Sequence, residues 1–224
     1  MKAKLTVNRL KQAARAFCAE ESFYENKELF GVTDGKAVGT YIEHKFLAYL
    51  DERFIFGKGS SAKGIDLPDG RIMTDIKVTS IKQPQSSCPF KDAQQKIFGL
   101  GYNLLVFVYE KSDDTDKGTA VLNFMSCTFL DRFRTADYSI TYRLREMIKD
   151  GANKEDVVAY LNDRNIPADG ITLDLIADRV LNEIPEQGYL TISNALQWRL
   201  QYGRIVTMIE ERKGITKLVD KVNE

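Results

Sequence analysis

The sequence predicts an α/β fold with a central mixed sheet flanked by helices and extended by a helical C-terminal region. Three patterns carry that expectation. Apolar residues recur at helical spacing over residues 37–54, the alternation switches to period two between residues 63 and 78, and residues 103–109 and 119–129 are rich in β-branched and aromatic side chains.

Taken in chain order, residues 5–17 read as a short helix. In residues 37–54 the stripe is Val38, Ile42, Phe46, Tyr49 and Leu50, with Glu43 beside it on the edge shared with Leu47, Leu50 and Phe54. Ile65 and Leu67, then Ile72, Thr74, Ile76 and Val78, alternate with polar neighbours around the turn signal Pro68-Asp69-Gly70, which predicts a hairpin. Residues 90–99 read as a helix, and the strands 103–109 and 119–129 follow, separated by a charged loop over 110–118. Beyond Asp131 the pattern is helical over 140–149, 154–162, 173–182 and 192–212, the last interrupted near Gly203. No repeat or linker marks a sharp boundary, so the division is soft: a core over residues 1–130 and a helical region over 131–224, within one domain or two.

At 224 residues and 43% hydrophobic composition the chain can bury one sizeable core. It has no uninterrupted apolar run of the roughly 18 residues a membrane span needs, so a soluble, cytoplasmic protein is expected. Cys18, Cys88 and Cys127 are far apart and form no CxxC pair, which argues against a disulfide framework or a zinc knuckle. His44 is the only histidine, which excludes mechanisms that need two imidazoles; any hydrolytic metal should be oxygen-bound. The 32 basic and 32 acidic residues cancel, so net charge gives no argument for a nucleic-acid partner.

The segment with most chemistry in it is GIDLPDGRIMTDIKVTS, residues 64–80. On its second strand Asp75 and Lys77 share one face while Ile72, Thr74, Ile76 and Val78 share the other. A two-residue loop at Asp69-Gly70 would pair Leu67 with Ile72 and Asp66 with Met73. Asp66 would then lie on the face of Asp75 and Lys77, diagonal to Asp75 at a Cβ separation of about 7 Å. Two converging aspartates without histidine or thiolate favour a hard cation such as Mg²⁺, with Mn²⁺ an acceptable substitute. Lys77 is placed to orient or deprotonate a water and to stabilise charge developing on a phosphate.

Asp66, then Asp75-Ile76-Lys77 on a hairpin, preceded by the helical Glu43, resembles the PD-(D/E)xK nuclease motif, and the DIKVTS string is similar to the catalytic strand of EcoRV-like restriction enzymes. The resemblance covers about the middle third of the chain. It implies a restriction-endonuclease-like core in which Asp66 and Asp75 bind metal, Ile76 contributes its backbone carbonyl, Lys77 serves the water, and Glu43 supports a second metal or a water. Ile65 stands where the motif has proline, and Pro68-Asp69 is a competing literal match; Asp69, in the tight turn, is the expected turn-forming aspartate.

The function implied is that of a type II restriction endonuclease, a Mg²⁺-dependent hydrolase of double-stranded DNA. A homodimer would follow from a palindromic target, and a cognate DNA methyltransferase would belong to the same system. A repair or junction-resolving nuclease, and a non-catalytic DNA-binding protein retaining the fold, are the alternatives. Lys82, Gln83, Gln85, Ser86, Ser87 and Lys91, in the run directly after the motif, are the candidate DNA contacts, against the plainer reading of a connecting loop. Gln94, Gln95 and Lys96 are expected to be solvated. Near the C-terminus Asn194, Gln197, Arg199, Gln201, Tyr202 and Arg204 would suit a DNA-contacting or dimer-forming helix, with Trp198 and Leu200 in the core. Arg132 and Arg134 are undecided.

Overall fold

The computed structural model describes residues 2–57, 59, 64–88, 91–193, 198–210 and 212–224. Its centre is a four-stranded mixed sheet. In it β3 (Thr74–Ser80) runs parallel to β5 (Asn103–Asp114), which pairs antiparallel with β6 (Thr119–Leu130), and β6 pairs antiparallel with β9 (Ile215–Asp220). The apolar run of β5 lacks strict alternation because both faces of the sheet are covered. Leu105, Phe107 and Tyr109 point into one buried cluster, while Leu104, Val106 and Val108 point into the other.

Helices α1 (Val7–Glu21) and α2 (Gly35–Arg53) cover the first face. Thr6 and Asp34 cap their N-termini, accepting bonds from the amides of Arg9 and Lys36. Along α2, Val38, Ile42, Phe46 and Leu50 recur every fourth residue and are buried. Phe46 meets Phe17 at 5.1 Å and Phe107 at 5.0 Å between ring centroids, which fixes both helices to the sheet. Gly39 brings α2 close to the edge strand: a Cβ there would lie 3.2 Å from the Val78 carbonyl oxygen. The short parallel pair β1 (Ala3–Lys4) and β2 (Phe54–Ile55) joins the start of the chain to the end of α2.

The second face carries a small antiparallel sheet in the order β4 (Gln85–Cys88), β8 (Trp198–Gln201), β7 (Thr191–Ile192). Its inner side buries Cys88, Trp198, Leu200 and Ile192 against the main sheet. The one-turn helix α3 (Gln95–Phe98) packs with α4 (Tyr138–Lys149), α5 (Lys154–Asp163) and α6 (Gly170–Asn182) around a third apolar cluster. The one-turn helix α7 (Gly203–Val206) then leads back toward β9.

The mixed sheet, its flanking helices and the helices over 138–182 agree with the expectation from sequence, and several elements differ. The hairpin pairs Leu67 with Thr74, through two backbone bonds of 3.0 Å, instead of Leu67 with Ile72. The turn is wider because the Asp69 carbonyl accepts from both Ile72 N and Met73 N at 2.7 Å, with Met73 at φ +33°. The helix expected over 90–99 is one turn, ended by Gly99 at φ +88°; Phe90 lies outside the described residues. Much of the expected charged loop is the outer end of β5, leaving four residues between β5 and β6. The helix expected over 192–212 is instead β8, the turn of α7 and loop, in a stretch of which residues 194–197 and 211 are not described. Lys96, expected at the surface, is fully buried with its ammonium 5.1 Å from the centre of the Trp198 ring.

Candidate active site

The edge strand β3 presents Asp75 and Lys77 on one face, with Thr74 and Ile76 buried on the other. The hairpin register shifts Asp66 by two residues from the expected pairing, an even number, so its face is unchanged and it stands opposite Asp75. One Asp66 carboxylate oxygen accepts the Ile76 N–H at 2.7 Å, which fixes it against the unpaired edge of β3. A residue's N–H and C=O leave a strand on the same side, so the Ile76 carbonyl is directed to that edge as well. From the helix layer, Glu43 comes close enough for Asp66 to raise its pKa, as Asp66 also does for Asp75. Gly39, one turn earlier on α2, permits the close approach.

Lys77 Nζ lies 2.8 Å from Asp75 Oδ2, with 20% and 5% of the two side chains exposed. Burial pushes the Asp75 carboxyl up from 3.8 to about 7; Lys77 acts in the opposite direction and Asp66 adds to the rise. Burial, then the charge of Asp66, raises Glu43 from 4.5 to about 7. Burial disfavours the Lys77 ammonium, but Asp75 and Asp66 outweigh it and hold its pKa above the ordinary lysine value. Lys77 is therefore a cation at neutral pH and serves as a hydrogen-bond donor to negative oxygen.

Three crowded carboxyls beside a strand-edge carbonyl form an all-oxygen donor set that suits a hard divalent cation, whose charge would offset their mutual repulsion. The charge of Asp66 acts on both Glu43 and Asp75; among the described residues no three acidic, histidine or cysteine side chains are already grouped around one ligation point. The fit therefore rests on donor type and proximity.

Glu43 and Lys77 open onto a cleft of about 680 Å³ that Ile76, Gln83, Gln85, Ser86, Ser87 and Arg199 also line; Asp66 and Asp75 are not among its lining residues. Four of the six candidate DNA contacts therefore share the cleft with Glu43 and Lys77. Lys82 and Lys91 are exposed and do not line it. The Ser86 hydroxyl is engaged with the Tyr202 hydroxyl at 2.6 Å, and Tyr202 is buried. Thr79 pins the loop between β3 and β4: its hydroxyl accepts from Gln85 N at 3.1 Å and lies 3.0 Å from the Gln85 carbonyl. Arg204 stacks on Tyr138, Arg134 pairs with Glu186, and Asn194 and Gln197 lie outside the described residues.

Lys36 and Thr40 also line the cleft and were not singled out from sequence, although they precede Glu43 by seven and three residues on one helix face, a spacing that could have found them.

An edge strand bearing Asp75 and Lys77, faced by Asp66 across a turn and by a helical glutamate, in a mixed sheet flanked by helices, makes this a restriction-endonuclease-like core. The family model for "Type II restriction enzyme NspV" matches residues 4–217, and the chain belongs to that family. It is 52% identical over 211 residues to the type II restriction enzyme NspV of Nostoc sp., covering 94% of this chain and 95% of that protein. No solved structure matches it.

Proposed function

We propose that the chain is a magnesium-dependent type II restriction endonuclease that hydrolyses phosphodiester bonds at a short specific sequence in double-stranded DNA, with a PD-(D/E)xK centre formed by Glu43, Asp66, Asp75 and Lys77. The observation that carries this reading is the bond from the Ile76 amide to Asp66, on the strand where Asp75 is paired with Lys77, in a chain so similar to a restriction enzyme.

Asp66, Asp75 and the Ile76 carbonyl would hold the ion, with Glu43 supporting a second ion or a water. When bound, Mg²⁺ supplies positive charge at the scissile phosphate and makes a water more acidic. Lys77, fixed by Asp75, donates to the attacking water or to a non-bridging phosphate oxygen and stabilises the charge that grows there. Glu43 faces the cleft and is the residue placed to position that water. Water adds its oxygen to phosphorus, one P–O ester bond breaks, and no covalent enzyme intermediate is needed. A palindromic target would call for a homodimer, and a host carrying such an enzyme would need a DNA methyltransferase for protection.

The test is digestion of methylation-free phage DNA with Mg²⁺ and, in parallel, with EDTA. Discrete fragments that vanish with EDTA are expected. A smear would contradict sequence specificity, and cleavage confined to junction or damaged substrates would favour a repair or junction-resolving nuclease.

A further inference from the structure

We infer that the outer face of the small β4–β8–β7 sheet reads the DNA sequence, and that Arg199 recognises a guanine there. The inference rests on the nuclease reading above and names a specificity residue for it. Strand pairing places Gln85 opposite Gln201, Ser87 opposite Arg199, and Thr191 opposite Gln201. Side chains alternate across a strand, so these residues share one side while Cys88, Trp198 and Leu200 anchor the other in the core. Ser87, Thr191, Arg199 and Gln201 are exposed, and Gln85 is half-buried.

The position of this face matters as much as its composition. Gln85, Ser87 and Arg199 line the cleft that holds Glu43 and Lys77, so DNA lying over those two residues would meet this face. The three-stranded sheet presents short, exposed strands on its outer face, a kind of surface that reads base edges from a groove. A surface that follows phosphates gathers several cations, whereas this one sets a single arginine among two glutamines and two hydroxyls, the donors and acceptors that suit base edges. Among the described residues no ion pair or hydrogen bond occupies the Arg199 guanidinium, in contrast to Arg134 and Arg179. Its planar fork matches the O6 and N7 acceptors of guanine, and the buried inner face of β8 holds its backbone in place.

The experiment maps the wild-type site on methylation-free phage DNA, then measures single-turnover cleavage of duplexes carrying each single base-pair substitution in that site. Wild type, Arg199→Lys and Arg199→Ala are compared. Both variants should cut the cognate duplex about 10- to 100-fold more slowly and lose discrimination at one G·C position while keeping it elsewhere. Lysine retains the charge but not the fork, so a mere phosphate contact would leave Arg199→Lys close to wild type. Arg199→Ala slowing all duplexes evenly, with Arg199→Lys intact, would overturn the inference and leave the nuclease reading standing. A wild-type protein that cuts no DNA under any metal would overturn the nuclease reading and this inference with it.

Discussion

Replacing Asp75 with asparagine should stabilise the metal-free protein at alkaline pH while abolishing cleavage. The folded protein raises the Asp75 pKa from 3.8 to about 7, chiefly by burial. Between those values the folded state holds a proton that the unfolded chain has released, so stability falls as pH rises from about 4 to about 7 and stays low above that. The full difference corresponds to about 4 kcal/mol at about pH 8. Asparagine stands in for the protonated carboxyl and avoids this cost, in which the attraction of Lys77 at 2.8 Å is already contained. The gain for Asp75→Asn is then about 4 kcal/mol near pH 8, or a rise in Tm of about 8–16 °C for a chain of this size. Near pH 5 the ionisation cost has shrunk to about 1–2 kcal/mol, and the gain from Asp75→Asn should shrink with it. Thermal unfolding in EDTA from about pH 5 to pH 8 measures this directly. A variant less stable than wild type at pH 8, or a difference that does not change with pH, would refute the placement of a buried, charge-penalised carboxyl at residue 75.

Two further perturbations test how the helix layer supports the site. Gly39→Val places side-chain atoms against the Val78 carbonyl, which a Cβ would already approach to 3.2 Å; a loss of about 1–3 kcal/mol in urea unfolding is expected. Its cleavage rate should fall by more than the lost folded fraction explains, because α2 carries Glu43 away from β3, and an unchanged rate per folded molecule would count against that role. Phe46→Ala, in the aromatic cluster that joins α1 and α2 to the sheet, should cost about 3–5 kcal/mol; a loss below about 1 kcal/mol would contradict the packing described.

The acidic cluster was legible in the sequence because face parity depends on whether a register shift is odd or even, and the actual turn differs from the simplest one by an even number. Asp66 therefore faces the predicted side even though Leu67 pairs with Thr74, a pairing set by the Asp69 carbonyl bonds and the positive φ of Met73. The strands of the main sheet were visible for a different reason, as apolar runs covered on both faces. What escaped was the small sheet. Trp198, Arg199, Leu200 and Gln201 alternate inside and outside, but four residues are too few to separate period two from a helical repeat, and the partner β4 is a polar run that reads as loop. The burial of Lys96 was likewise invisible, since it depends on Trp198, more than 100 residues away in the chain.

The central claim is that Asp66, and not the neighbouring Asp69 of the literal Pro-Asp pair, belongs to the catalytic centre. Asp66 accepts from the Ile76 amide beside Asp75, whereas Asp69 sits in the turn and binds Arg71 through both backbone and side chain. Cleavage rates of Asp66→Ala and Asp69→Ala, measured side by side with saturating Mg²⁺ on the mapped site, separate the two most directly. The structure predicts a loss of about 10³-fold or more for Asp66→Ala and a rate within a few-fold of wild type for Asp69→Ala. An inactive Asp69→Ala that is still folded, beside an active Asp66→Ala, would contradict it.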